Sequence, residues 1–254
     1  MAGSEMSYQG FYANRVTWVQ GSVPRLVLMA QLVAARRPAA VLDVGCGGGQ
    51  LLAEMAARTN ARLVGVDAVD TPPAVGEYRR GDITTGLPAA DDEFDVVVLG
   101  EVIEHVPHPD LLLREVRRVL SPGGALVLST PNVVCWANRV LVPLGVQPLF
   151  TETSSDLALG RRLRVLGQGN EVQGHLKVFS ARALSEILER EGFTVTSRRG
   201  LPFAFPFPFD LIDRLAARRV TWACSLVYVA ERRAAEPERR LAAPPRLITP
   251  RPRQ

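Results

Sequence analysis

Apolar positions along this chain fall into two alternating rhythms. Residues 41–44, 63–67, 94–99 and 125–129 are short, nearly continuous apolar runs, as expected of strands covered on both faces. Between them, residues 51–57 and 111–120 repeat apolar side chains every three or four positions, which is the helical period. A shorter, more polar strand is expected at residues 78–83. Further on, helices at 181–191 and 210–219 and strands at 193–197 and 222–230 complete the series. The alternation predicts an α/β fold, doubly wound and Rossmann-like, on a mostly parallel seven-stranded sheet whose last strand runs antiparallel.

Three stretches depart from that rhythm. Residues 1–38 carry Tyr8, Phe11, Tyr12 and Trp18 in a polar setting and then a helical repeat from Leu26 to Val33, which reads as an N-terminal cap. Residues 133–173 interrupt the alternation for longer than a compact domain usually allows, and are expected to form a lid or substrate cover, with Arg161, Arg162 and Arg164 as candidates to meet an anionic group. Residues 232–254 alternate Pro with Arg and Ala and are expected to be a disordered tail after a single domain spanning 1–231.

Charge matters here only once it is located. The chain has a formal net charge of +4, but residues 232–254 hold seven arginines against two glutamates, so the first 231 residues carry no basic excess. A nucleic-acid partner is therefore not expected. With 254 residues at 47% hydrophobic content, one sizeable core is affordable. No apolar run approaches the ~20 residues of a membrane span, and the first residues lack the features of a signal peptide, so a cytoplasmic protein is expected. Cys46, Cys135 and Cys224 form no Cys-x-x-Cys pair and are expected to be buried thiols.

The chemistry concentrates after the first strand. Asp43-Val-Gly45-Cys46-Gly47-Gly48-Gly49 turns a strand into a helix through glycines, which a tight turn and a ligand lying against the main chain both require. Asp43 opposes a pyrophosphate at that turn and favours a cationic ligand. Asp67 ends the second strand about 20 residues later, where a carboxylate reaches a ribose in this architecture. Asp82, with Ile83 beside it, lies at the same sheet edge and is placed to accept from an adenine amino group.

Taken in order, these residues, the segment from Phe94 to His105, Leu120-Ser-Pro-Gly-Gly and Ser129-Thr-Pro-Asn resemble the successive motifs of class I S-adenosylmethionine-dependent methyltransferases over roughly residues 40–132. The resemblance implies S-adenosylmethionine as cofactor, bound by the main chain around Gly45, Cys46, Gly47 and Gly49 and by Asp67, with Asp43, Asp82, Ile83 and Glu101 nearby. It also implies methyl transfer to an acceptor, most simply a hydroxyl of a small molecule or glycan.

Glu101-Val-Ile-Glu104-His105 follows the fourth strand, and His175 follows the insertion. If the first segment is helical, Glu101, Glu104 and His105 share one face. Glu-x-x-Glu-His with a later His before Phe-Ser is similar to the divalent-metal site of small-RNA 2′-O-methyltransferases and to ubiquinone-pathway O-methyltransferases. The implied ligands are Glu101, Glu104, His105 and His175, a set that suits Zn²⁺, Mn²⁺ or Fe²⁺ better than Mg²⁺. His105 or His175 is the candidate base without a metal. His108, between Pro107 and Pro109, is expected in a turn. Two other readings share the glycine turn: a nicotinamide-dependent oxidoreductase, which Asp43 and the lack of a Tyr-x-x-x-Lys pair oppose, and a silent cofactor-binding subunit. An N- or C-methyltransferase without a metal, or an RNA 2′-O-methyltransferase, also fits the same motifs.

Overall fold

The structure, a computed structural model, describes residues 23–70, 72–160, 172–203 and 205–234. The four aromatics of residues 1–22, the three arginines at 161–164 and the tail from 235 lie outside the described residues. Seven strands, β1 Ala40–Val44, β2 Arg62–Asp67, β3 Glu77–Arg80, β4 Phe94–Gly100, β5 Leu120–Pro131, β6 Phe193–Leu201 and β7 Ser225–Arg232, form one sheet in the order β3-β2-β1-β4-β5-β7-β6. The pairs among β1 to β5 are parallel, and β7 runs antiparallel to both of its neighbours. The chain winds outward from β1 to β3 and then crosses back to β4. The switch between β1 and β4 opens a crevice at their carboxyl ends, where ligands of such sheets sit.

Among the described residues six helices accompany the sheet: α1 Val23–Ala34, α2 Gln50–Ala56, α3 Pro109–Val119, α4 Trp136–Leu141, α5 Ala181–Arg190 and α6 Phe209–Ala216. Strand residues alternate between two cores, as the pleat requires. Val41, Val96 and Val98 pack with Met29 and Val33 of α1 and Leu52 and Met55 of α2. Leu42, Val97 and Leu126 pack on the opposite face with Leu113 and Val116 of α3 and Leu184 and Leu188 of α5. Each such side chain, fully buried, contributes about 1.5–3 kcal/mol. α5 begins where Ser180 Oγ accepts the Ala183 N–H at 3.1 Å.

Several expected boundaries move. β5 starts directly after α3, but Leu120 pairs with Phe94 while Ala125 pairs with Val96, so Ser121 to Gly124 bulge out of the ladder. A side chain at Gly124 would lie 2.8 Å from the Ser121 carbonyl. β6 continues past residue 197 because its pairing with β7 holds to Leu201. β7 begins at Ser225 and not at 222, since the Trp222 and Ala223 N–H groups are bound to the Arg219 carbonyl at 2.8 and 3.0 Å in the turn after α6.

β7 itself runs past 231. Arg232 belongs to β7 and its guanidinium donates to the Leu120 carbonyl and to Asp92. The Arg233 N–H donates to Gly192 O at 2.9 Å, and its guanidinium to Phe193 O at 3.0 Å. The start of the insertion is likewise built into the fold. Cys135, Trp136, Leu141, Leu149 and Phe150 form a third core with Phe205 and Cys224, so this part is not a loose cover. Asn138 is buried there, donating to Val133 O and Leu149 O and accepting the Leu149 N–H. All three cysteines are buried free thiols.

Candidate active site

The glycine turn after β1 is pinned to β2. The N–H groups of Gly45 and Cys46 both donate to Val66 O, at 2.7 and 3.1 Å, and the Gly47 N–H donates to Asp67 Oδ2 at 2.8 Å. Gly45, Gly47 and Gly49 all have positive φ, at 71°, 49° and 77°, a region that side chains other than glycine's rarely adopt. Their surroundings differ. A Cβ on Gly45 would lie 2.7 Å from Val102 Cγ2 and one on Gly49 would collide with Pro73, whereas a Cβ on Gly47 or Gly48 would meet no protein atom within 4 Å. Among the described residues, the middle of the turn thus faces open space. Cys46 turns its thiol inward, where Gly65 leaves it room. Burial, followed by the charges of Asp43 and Asp67, keeps that thiol protonated.

Asp43 is buried near the end of β1, and its Oδ2 has no hydrogen-bond partner among the described residues. Burial first, and then the charge of Asp67, raise its pKa to about 8 against the pull of Arg25. An uncompensated carboxylate of this kind is costly unless a cation or a proton answers it. Asp67 accepts from two main-chain donors, Gly47 N–H at 2.8 Å and Val69 N–H at 3.2 Å. The Tyr78 hydroxyl donates to main-chain carbonyls of Asp67 and Val69, fixing the loop that follows β2. Asp82 accepts the Thr84 N–H at 2.9 Å and the Thr84 hydroxyl at 2.6 Å, shaping the turn after β3. Ile83 is half-buried and packs against the core beneath that turn.

The segment after β4 is not the helix that would have aligned Glu101, Glu104 and His105. Glu101 takes φ +60° and donates its N–H to Ser129 O at 3.1 Å, so the chain leaves the sheet sharply. Only Ile103–His105 then coils, as a single 3₁₀ turn. Glu101 is directed to Arg25 of α1, whose Nη1 lies 3.7 Å from Glu101 Oε1 and donates to Ser129 Oγ at 2.9 Å. Arg25 is a buried guanidinium that the sequence reading passed over, although an arginine amid the apolar helix Val-Pro-Arg-Leu-Val-Leu was a visible signal.

Glu104 is buried. Its Oε2 accepts the Thr130 hydroxyl at 3.0 Å, and its Oε1 has no hydrogen-bond partner among the described residues. Burial, with the Glu101 charge second, raises its pKa well above the usual carboxylate range. Its main-chain carbonyl accepts from Leu176 and Lys177, at 2.8 and 3.0 Å, which ties the end of the insertion to β4.

His105 and His175 face each other with ring centroids 4.9 Å apart. Nδ1 of His105 contacts Gly174 O at 3.2 Å, and Nδ1 of His175 contacts Phe150 O at 3.0 Å. A carbonyl only accepts, so each Nδ1 carries the proton and Nε2 is the basic nitrogen of both rings. Burial and the neighbouring His175 hold the His105 pKa down at about 4, so the ring is neutral at physiological pH. Glu152 anchors the arrangement. Its carboxylate accepts the main-chain N–H groups of Gln173, Gly174 and His175, the last two at 2.7 and 3.2 Å. Nothing in the local sequence marks Glu152 for that task.

Of the four expected metal ligands, Glu104, His105 and His175 each offer an atom within 4.8 Å of the others, and Glu101 is not part of the group. His108 sits at the cap position before α3, its carbonyl accepting from Leu111 and Leu112, in the turn expected for it. No helix among the described residues is long and apolar enough to cross a membrane.

A family model described as a methyltransferase domain matches residues 18–198. The ubiquinone biosynthesis O-methyltransferase of Hahella chejuensis is 41% identical over 103 residues, a match covering 36% of this chain and 43% of that enzyme. The chain thus matches less than half the length of that relative. Among solved structures, the 1,6-didemethyltoxoflavin N1-methyltransferase of Burkholderia thailandensis, with its substrate and S-adenosylhomocysteine bound, is 17% identical with a TM-score of 0.56, over 88% of this chain and 84% of that one. A Haloferax volcanii methyltransferase solved with the Trm112 activator is 18% identical with a TM-score of 0.57, over 89% of this chain and 96% of that one. With its motifs in order on this sheet and the family model spanning most of its length, the chain belongs to the class I S-adenosylmethionine-dependent methyltransferases.

Proposed function

We propose that this protein moves the methyl group of S-adenosylmethionine to a hydroxyl of a small molecule or glycan in the crevice between the glycine turn and the histidine pair. The observation that carries the reading is the facing pair of imidazoles, His105 and His175, each with its Nδ1 on a main-chain carbonyl, so that Nε2 is the basic nitrogen, and with Glu104 buried beside them. A sulfonium is already an activated donor, so the chain's tasks are to align the acceptor and to receive its proton. The acceptor oxygen attacks the methyl carbon as the carbon–sulfur bond breaks, S-adenosylhomocysteine departs as a thioether, and the hydroxyl proton passes to Nε2 of one histidine. On the donor side, Asp67 accepts from the ribose hydroxyls and the main chain of Gly47 and Gly48 lies along the cofactor. The carboxylate of Asp43 answers the cofactor's positive charge from beneath. The O-methyltransferase named among the relatives supports oxygen as the acceptor atom.

The same residues fit a divalent cation. Glu104 Oε1 is buried with no hydrogen-bond partner among the described residues, both rings have a carbonyl fixing the protonated nitrogen, and the three ligand atoms converge. Glu104, His105 and His175 would hold the ion, and when bound it supplies Lewis acidity toward the acceptor's hydroxyl. A mixed carboxylate and imidazole set favours Zn²⁺, Mn²⁺ or Fe²⁺. Glu101 serves instead through Arg25.

The test is incubation of the purified protein with methyl-labelled cofactor and a panel of phenols, alcohols, sugars and amines, with elemental analysis in parallel. Label recovered as a methyl ether supports the reading. Label on nitrogen or carbon alone overturns the hydroxyl assignment, and full turnover after exhaustive chelation removes the metal while leaving the histidines as bases.

A further inference from the structure

α6 and the loop before it bury one side and leave the other uncovered. The buried side is anchored by Asp213, whose carboxylate accepts the Trp136 indole N–H at 2.8 Å and the Phe203 N–H. On the outer side Leu211, Ile212 and Leu215 are 56%, 48% and 64% exposed, and Phe207, just ahead of the helix, is 79% exposed. At 3.6 residues per turn, positions 211, 212 and 215 adjoin and form one stripe. Arg214, Arg218 and Arg219 are exposed on the same helix and its exit, and Asp210 lies 3.2 Å from Arg214. Close by, Trp222 is exposed beneath the guanidinium of Arg139, 4.8 Å above its ring.

Grouped apolar side chains of this size, bordered by guanidinium groups, match the boundary layer of an anionic bilayer in both polarity and charge. A second copy of this chain matches poorly, because a two-fold contact through the stripe would set the three arginines against their own counterparts. We propose that this face seats the protein peripherally on an anionic lipid surface. Phe207, Leu211, Ile212 and Leu215 enter the acyl boundary, and Arg214, Arg218 and Arg219 meet lipid phosphates. Inward from the same lobe, neighbouring rings run from Trp136 through Phe205 and Phe203 to Phe150 and His175, with successive centroids 5.4, 5.4, 5.6 and 6.4 Å apart. Seating would therefore hold the acceptor side of the crevice close to the bilayer.

The experiment is flotation of the full chain with vesicles of phosphatidylcholine alone and of phosphatidylcholine mixed with phosphatidylglycerol, at low and high salt. The expected result is flotation with the anionic vesicles, weakened by salt, and little with the neutral ones. The double variant Leu211→Glu/Leu215→Glu should reduce the bound fraction about ten-fold or more, and Phe207→Ser, which lies outside the helix, several-fold. Both should keep the parent's melting temperature and affinity for S-adenosylhomocysteine. No flotation of the parent with either vesicle overturns the proposal and leaves the face to a protein partner. Flotation unchanged in both variants but lost on deletion of 235–254 assigns it to the basic tail and also overturns it. Self-association without vesicles that the double variant abolishes assigns the face to a second copy, with the same consequence.

Discussion

The glycine side of the crevice comes from one βαβ unit, β1 through β2, whereas the histidine side draws on five separate places in the chain. On the first side, main-chain groups do most of the work: Gly45 and Cys46 N–H on Val66 O, Gly47 N–H on Asp67. On the second, Arg25 comes from α1, Glu104 and His105 follow β4, Thr130 belongs to β5, and Glu152 and His175 flank the far part of the insertion. The two sides should therefore fail differently. Damage to the glycine side should appear as lost cofactor affinity, and damage to the histidine side as lost turnover with the cofactor still bound.

The largest effect expected is at His175. His175→Ala removes one of the two basic nitrogens, and turnover should fall by about a hundred-fold or more, while calorimetry finds S-adenosylmethionine affinity unchanged. An equal loss of affinity would erase the separation between the two sides. The converse is Asp67→Ala, which should weaken cofactor binding roughly ten- to a hundred-fold through lost charge-assisted hydrogen bonds and disturb the Gly47 turn. At saturating cofactor its turnover should stay near that of the parent. NADH binding as tightly as S-adenosylmethionine would contradict the role given to Asp43.

A smaller effect is expected from pH. The Asp43 pKa of about 8 in the ligand-free protein lies above the ~3.9 of an unfolded aspartate. The folded state therefore holds this proton more tightly, and its contribution to stability is full below about pH 4 and is lost as pH rises through about 8, at up to ~1.4 kcal/mol per unit. A bound cation reverses the preference, so cofactor affinity should rise about ten-fold between pH 7 and 9 with release of a proton. Calorimetry in buffers of different ionisation enthalpy measures that proton, and Asp43→Asn should flatten the profile. The smallest effect is expected from deleting residues 235–254, which leaves Arg232 and Arg233 in place; the melting temperature should shift by less than about 2 °C, and a larger drop by thermal melting would mean that the tail docks.

The contrast also accounts for what was legible in the amino-acid sequence. The alternation of strands and helices and the glycine turn could be read because each follows from local pattern: apolar runs, a helical repeat, and glycines where φ must be positive. Asp67 could be placed beside the turn because its distance from it is set by the βαβ unit, and it accepts the Gly47 N–H there. The helical face assigned to Glu101, Glu104 and His105 failed because a non-glycine residue takes φ +60° at Glu101, and nothing in Gly-Glu-Val-Ile-Glu-His announces it. Glu152 was invisible for a related reason. Its partners are main-chain N–H groups more than twenty residues away, which leave no trace in side-chain type. Pairing across the sheet likewise decided where β6 and β7 stop, which periodicity alone does not encode.

The position of β7 bears on how the chain is made. This strand lies between β5 and β6 and pairs with both, yet it is the last to be synthesised. Until Ser225–Arg232 has emerged, the apolar edge of β5 and the whole of β6 have no strand to pair with. A growing or prematurely terminated chain therefore displays two open edges, the feature that templates aggregation. Variants shortened at the C-terminus should keep everything through Arg233, and translation errors late in the message would be more damaging to solubility than their small share of the sequence suggests.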